Sequence, residues 1–222
     1  MVSPFRNAVR TLASAIVSIR HQTCVDWELL LVDHRSEDES TRLTKQFAVD
    51  PRIQLMESDA THFTDALNAS VEQADGLFVA RMDADDWSYP RRLERQLEFL
   101  TRPQGTDVVS CRVEAAHAQL TAYVDWSNKL RDKKIPLRRF VESPVVHPSV
   151  MWRRKVAERY GAYRTGDFPE DYGLWLRRLD AGVRTAKLPE VLLGRRTQWP
   201  RYTRNRRSNS GNLTRLGSTR PR

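Results

Sequence analysis

The 222-residue chain has only two cysteines, Cys24 and Cys111, too few for a disulfide framework or a zinc site of their own. They read as reduced thiols of a cytoplasmic protein. Long hydrophobic runs are also missing. None exceeds four residues, as in Leu29 to Val32, whereas a bilayer span needs about 20. The opening Met1-Val2-Ser3-Pro4-Phe5-Arg6 lacks the apolar core of a signal peptide. Hydrophobic residues nevertheless make up 40% of the chain, enough for a real core, so wholesale disorder is excluded.

Acidic residues are missing after Glu190, and nine arginines follow it. The chain carries 37 Lys+Arg and 28 Asp+Glu; without those nine arginines, residues 1–190 hold 28 of each. The body is therefore neutral, and the net charge of +9 resides at the end. Residues 194–222 read as a basic, solvated tail, and 1–193 as one domain. Anionic lipid would attract such a tail, giving peripheral contact with the inner face of a membrane. No nucleic-acid motif accompanies the charge, so no specific nucleic-acid partner is expected.

Short apolar runs alternate with helical spacing. Asn7 is placed to cap a helix carrying Leu12, Ile16 and Ile19 on one face. Trp27 to Asp33 suits a buried parallel strand, as does Arg52 to Met56. Helical spacing returns over Ser36 to Ala48. It returns again around Leu67, Val71 and Ala74, up to Gly76. Leu77 to Met82 is a third strand that runs straight into Asp83-Ala84-Asp85-Asp86. Pro90 opens a helix bearing Leu93, Leu97 and Leu100, and Val108 to Cys111 is a strand. The pattern weakens from Ala115 to Phe140, and Pro144 to Trp152 reads as extended. Glu170 to Ala181 is a helix stopped by Gly182, and Val191 to Leu193 a last short strand. Such alternation predicts an open α/β sheet with mostly parallel strands flanked by helices.

Open α/β sheets bind ligands beyond the carboxyl ends of their strands. Asp33 lies at one such end, and Asp83, Asp85 and Asp86 at another. Asp83 and Asp85 share a face if the segment is extended. The pair then suits a hard divalent ion held together with phosphate oxygens. An exposed acidic turn, with Asp86 capping the next helix, accounts for the same residues.

Several segments together resemble glycosyltransferase family 2 of the GT-A fold, of the bacterial surface-polysaccharide type. Pro4-Phe5-Arg6-Asn7 is similar to the family's opening loop, and Ser18-Ile19-Arg20-His21-Gln22-Thr23 to its S-[IL]-x-x-Q-T. Trp27 to Asp33, with Ser36 and Asp38, resembles the strand and loop ending V-D-D-G-S-x-D. Ala66-Leu67-Asn68 and Ala74-Asp75-Gly76 follow. Ala80-Arg81-Met82-Asp83-Ala84-Asp85-Asp86 resembles the DxD signature, continued by Pro90, Arg92, Leu93 and Gln96. His147-Pro148-Ser149, then Gly161 and Tyr163, then Glu170-Asp171-Tyr172 and Leu174-Trp175-Leu176-Arg177 complete the series.

The resemblance implies an inverting, metal-dependent transfer of sugar from a nucleoside diphosphate sugar, a UDP-sugar, to a hydroxyl of a saccharide or lipid-linked acceptor. It places Pro4, Arg6, Asp33, His34, Asn68 and Asp83 around the donor nucleotide. It gives Mg²⁺ or Mn²⁺ to Asp85, Asp83 and His147. It makes Asp171, with Glu170 beside it, the base that takes the acceptor proton. Trp175 reads either as an acceptor platform or as core. His147 reads equally as structural.

Three features depart from the family. Only Met1-Val2-Ser3 precede the opening loop, so the first strand is expected to be truncated. His34 and Arg35 replace the second Asp and the Gly of V-D-D-G-S, and an arginine does not readily adopt the positive φ expected of that glycine. Gly194 to Trp199 fits the family's closing segment poorly. Other readings are a catalytically impaired relic that binds nucleotide or a partner, a nucleic-acid binder recruited by the tail, and a phosphatase. The last wants Thr or Val where Trp87 stands.

Overall fold

The computed structural model describes residues 1–196 except 104 and 168. The part of the expected tail from 197 to 222 lies outside the described residues. The chain begins with β1 (Val2–Phe5), α1 (Leu12–Arg20), β2 (Leu29–Asp33), α2 (Ser40–Phe47), β3 (Ile53–Glu57) and α3 (Phe63–Gln73). It continues through β4 (Phe78–Ala80), β5 (Asp86–Ser88), α4 (Arg92–Thr101) and β6 (Val108–Ala115). The last part holds α5 (Ala118–Lys129), α6 (Ile135–Arg138), β7 (Met151–Arg153), α7 (Lys155–Tyr160), α8 (Glu170–Asp180) and β8 (Thr185–Arg195).

Strands β1, β2 and β3 pair in parallel in that order. A parallel bridge between Val2 and Arg81 carries the surface on to β4. The second sheet runs β4-β7-β6-β8-β5, with β6 and β8 parallel and the other neighbours antiparallel. All five residues of β2 are buried, as expected for a strand covered on both faces. Alternate residues serve opposite cores. Leu29 and Leu31 join Leu12, Ile16 and Ile19 of α1. Leu30 and Val32 join Ala66 and Val71 of α3 and Trp175 and Leu179 of α8. The strand period of two and the helical period of 3.6 thus build the two faces. Gly182, at φ +80°, ends α8 as its position implied.

Several expectations change. The first strand is four residues long; it takes in Pro4 and Phe5 of the expected loop and pairs with β2 from Val2 to Phe5. Its outer carbonyls accept from Leu30 N, at Met1 O, and from His34 N, at Phe5 O. Asn7 does not cap α1. It sits at φ +51°, and its Oδ1 accepts from Glu37 N at 2.8 Å, tying the loop after β1 to the loop after β2. Pro144 to Trp152 is not uniformly extended, since His147–Ser149 forms a 3₁₀ turn before β7. Finally, β8 runs through Arg195, beyond residue 193 where the domain was expected to end.

Candidate active site

The acids after β4 converge by a turn, not by strand alternation. Asp86 N donates to Asp83 O at 3.2 Å, closing the chain on itself. Carboxylate oxygens of Asp83, Asp85 and Asp86 all lie within 4.8 Å of one another. Asp86 does not cap α4; it is fully buried in β5. Like charges this close need compensation, and two arginines supply it. Arg81 Nη1 is 2.5 Å from Asp83 Oδ1. Arg195, at the end of β8, approaches Asp83 Oδ2 at 3.5 Å and Asp86 Oδ2 at 3.9 Å. Antiparallel pairing of β8 with β5 sets Arg195 opposite Asp86.

Electrostatics divide the cluster. Burial raises the Asp83 carboxyl, but Arg81 and Arg195 outweigh it and hold the group below its ordinary range. Burial and the Asp83 charge push Asp86 well above its ordinary range. Asp86 Oδ2 is buried without a hydrogen-bond donor. An all-oxygen set with one such oxygen fits a hard cation such as Mg²⁺ or Mn²⁺.

Asp171 is the second residue of α8, and its Oδ1 accepts from Tyr172 N at 2.8 Å. Burial, with the Glu170 charge next in size, pushes its carboxyl up to about 6. The Asp83 charge adds to that shift. A carboxyl with this affinity is suited to general base work near neutrality.

The loop after β2 is heavily tied. Asp33 is buried; its Oδ1 accepts from Ser36 N at 2.9 Å and its Oδ2 from Thr41 Oγ1. His34 Nε2 lies 3.1 Å from Ala60 O, and its ring meets Phe63 edge-on. Arg35 does take positive φ, at +59°, contrary to the expectation for an arginine there. Its guanidinium donates to Asp59 O, one contact that holds it. Pro4 is buried in β1 opposite Val32. Arg6 is exposed and pairs with Glu37 at 3.1 Å.

Two expected site residues are engaged in the scaffold. Asn68 Nδ2 donates to Tyr163 O at 3.0 Å, and its Oδ1 accepts from Tyr163 N at 2.9 Å. His147 Nε2 lies 2.8 Å from Tyr163 Oη, with Tyr163 and Trp175 edge-on to its ring. Burial, then the charge of Arg81, push His147 well below its ordinary value, so the ring is neutral. It does not join the acid cluster. Trp175 is fully buried, as its core reading required. Sequence reasoning missed Arg81 as a partner of Asp83 and missed Arg195 altogether. The signal for Arg81 was its place two residues before Asp83; Arg195 had none.

Acids gathered beyond the end of a strand in an open α/β sheet, near a desolvated carboxyl at a helix start, are the arrangement of a GT-A glycosyltransferase. The family model described as Glycosyl transferase family 2 matches residues 1–161, and the chain belongs to that family. It is, by that membership, a glycosyltransferase. EpsE of Bacillus subtilis is 33% identical over 192 residues, covering 84% of this chain and 68% of that protein. The O-antigen biosynthesis glycosyltransferase WbnJ of Escherichia coli is 28% identical, over 82% and 72%. The fold matches Staphylococcus aureus TarS 1-349 in complex with UDP-GlcNAc at a TM-score of 0.71 and 14% identity, over 90% of this chain and 58% of that one. A mannosyltransferase of Pyrobaculum calidifontis in complex with GDP-Man and Mn²⁺ matches at 0.69 and 22%, over 87% and 55%. The chain thus spans little more than half of these two structures.

Proposed function

We propose that the enzyme moves a sugar from a UDP-sugar to a hydroxyl of a saccharide or lipid-linked acceptor, with inversion, in the synthesis of a cell-surface polysaccharide or glycolipid. The observation that carries the mechanism is the Asp171 carboxyl in the first turn of α8, raised to about 6 by burial and the Glu170 charge and within reach of the Asp83 charge. Asp171 accepts the acceptor's proton as the hydroxyl oxygen bonds to the anomeric carbon and the bond to the diphosphate breaks. Glu170 keeps the base basic through its neighbouring charge. Asp83 and Asp85 are the residues that would hold Mg²⁺ or Mn²⁺. Bound there, the ion would neutralise charge on the departing diphosphate. Arg81 and Arg195 keep Asp83 ionised in readiness.

Pro4, Arg6, Asp33 and His34 line the nucleotide side on this reading. A His34 whose Nε2 faces a carbonyl carries its proton there, which leaves Nδ1 as an acceptor suited to the uracil N–H. That preserves the acceptor role of the replaced Asp without its charge. The relatives' names support a UDP donor: WfgD of Escherichia coli, 32% identical over 103 residues, is a UDP-Glc:alpha-D-GlcNAc-diphosphoundecaprenol beta-1,3-glucosyltransferase. Among the described residues no helix is long and apolar enough to cross a membrane. The reading places the enzyme in the cytoplasm, at the inner face of the membrane. Pairing of β1 with β2 along Val2–Phe5 supports this reading over an impaired relic.

The test is calorimetric. Mn²⁺ titrated with and without UDP should bind cooperatively, and Asp85→Asn should abolish that coupling. Asp171→Asn should keep nucleotide binding and lose nucleoside diphosphate release in a donor screen. Equal loss of binding and turnover in Asp171→Asn would remove its role as base.

A further inference from the structure

The segment after α5 has a composition unlike the rest of the body. Residues 131–141 contain Arg131, Lys133, Lys134, Arg138 and Arg139 against the single acid Asp132, a net of +4. Residues 1–190 as a whole sum to zero. The same segment exposes apolar side chains. Among the described residues eight large hydrophobics are exposed, and three of them, Leu137 at 74%, Phe140 at 71% and Val141 at 62%, fall within five consecutive positions.

The segment is anchored from beneath. Ile135 is fully buried and anchors α6 in the core. Tyr172 Oη donates to Arg139 O at 2.8 Å, and Tyr123 Oη to Ser143 O at 3.1 Å. Asp132 accepts from Lys187 N, and Arg139 pairs with Asp180. Arg131, Lys133, Lys134 and Arg138 are exposed and make no ion pair among the described residues. A short amphipathic turn with cations around exposed Leu, Phe and Val has the chemistry of a bilayer interface. Polyanions such as nucleic acid would use the cations but gain nothing from the apolar tips.

We propose that residues 131–141 form a docking surface for an anionic lipid bilayer, with Leu137, Phe140 and Val141 entering the headgroup region and the cations meeting lipid charge. Tyr172 joins this surface directly to Asp171, so docking brings the base to the membrane. If the acceptor is lipid-linked, as the proposed function has it, the surface presents the base where that acceptor lies. Its residues are other than those of the basic segment 194–222.

Flotation of the full-length chain with phosphatidylcholine vesicles, with and without phosphatidylglycerol, tests it. Binding should require phosphatidylglycerol and weaken with salt. Each neutralised cation should cost about five-fold in partition, so the Lys133→Gln/Lys134→Gln/Arg138→Gln protein should bind roughly 100-fold more weakly. Leu137→Ser/Phe140→Ser/Val141→Ser should also detach, because exposed tips insert without supporting the core. Replacing Arg201, Arg204, Arg206 and Arg207 by Gln should leave most binding in place. Undiminished binding by the Leu137/Phe140/Val141 variant would overturn the proposal. So would a wild-type dimer that this variant dissociates, or a DNA duplex that binds wild type and this variant equally while vesicles bind neither. None of these readouts depends on turnover, so their outcome is independent of the sugar-transfer reading.

Discussion

Replacing Asp171 by Asn should make the protein more stable and less active at once. The Asp171 carboxyl lies at 3.8 when unperturbed and is raised to about 6 in the fold, first by burial and then by the Glu170 charge. The folded chain therefore holds this proton more tightly than the unfolded chain does. Stability falls as pH rises from about 4 to about 6, and the full cost is present above that window. At 1.36 kcal/mol per unit, the ionised carboxylate costs the fold about 3 kcal/mol at most at neutral pH. Asn carries no charge and keeps an Oδ1 to accept from Tyr172 N, so most of that cost disappears. A gain of about 1–3 kcal/mol corresponds to roughly 3–10 °C in Tm for a chain of this size. Thermal melts in EDTA at about pH 7 and about pH 4 measure it, and the advantage should close at the lower pH. Turnover should fall by about 10²–10⁴ in the same variant. For the wild type without divalent ion the base is competent above about 6, and a cation near Asp83 should move the acid limb of kcat/KM to lower pH. An Asp171→Asn protein that melts below wild type at neutral pH would refute the desolvation argument.

Other outcomes follow from the same geometry. Arg195→Ala leaves half-buried Asp83 and buried Asp86 without one partner and should cost about 3 kcal/mol by chemical denaturation; added Mn²⁺ should restore part of it, and no recovery would show that the arginine and the ion do not share a role. Asn68→Ala removes two hydrogen bonds to the Tyr163 backbone and should lower stability by about 2 kcal/mol with UDP affinity unchanged by calorimetry. At position 35, where φ is +59°, Gly should be more stable than Ala by about 1 kcal/mol in urea melts, since both lack the guanidinium and only Ala keeps the strain.

Much of this architecture is written in local pattern. The fully apolar Leu29 to Val32 run could only be a strand buried on both faces, and Asp33 had to emerge at its carboxyl end. Leu12, Ile16 and Ile19 on one helical face, and Gly182 at the end of α8, are equally local, because period and backbone freedom are properties of neighbouring residues. The candidate acids Asp83, Asp85 and Asp86 were visible for the same reason, as charges at the end of an expected strand, whereas Asp171 was marked by the resemblance of Glu170-Asp171-Tyr172 to the family. Strand direction in the second sheet was not visible, since β4, β5 and β7 have three residues each and so short a run carries no mark of its partner. Nor was the turn that gathers the acids, nor the arginine that balances them. Arg195 is 112 residues from Asp83 and reaches it only because β8 lies beside β5. Tyr163 likewise takes up Asn68 and His147 from two other elements. Composition and spacing set which groups carry charge and which segments fold as helix or strand. Which charges neutralise one another, and which polar groups are consumed by the scaffold, depends on contacts between distant segments that only the tertiary structure decides.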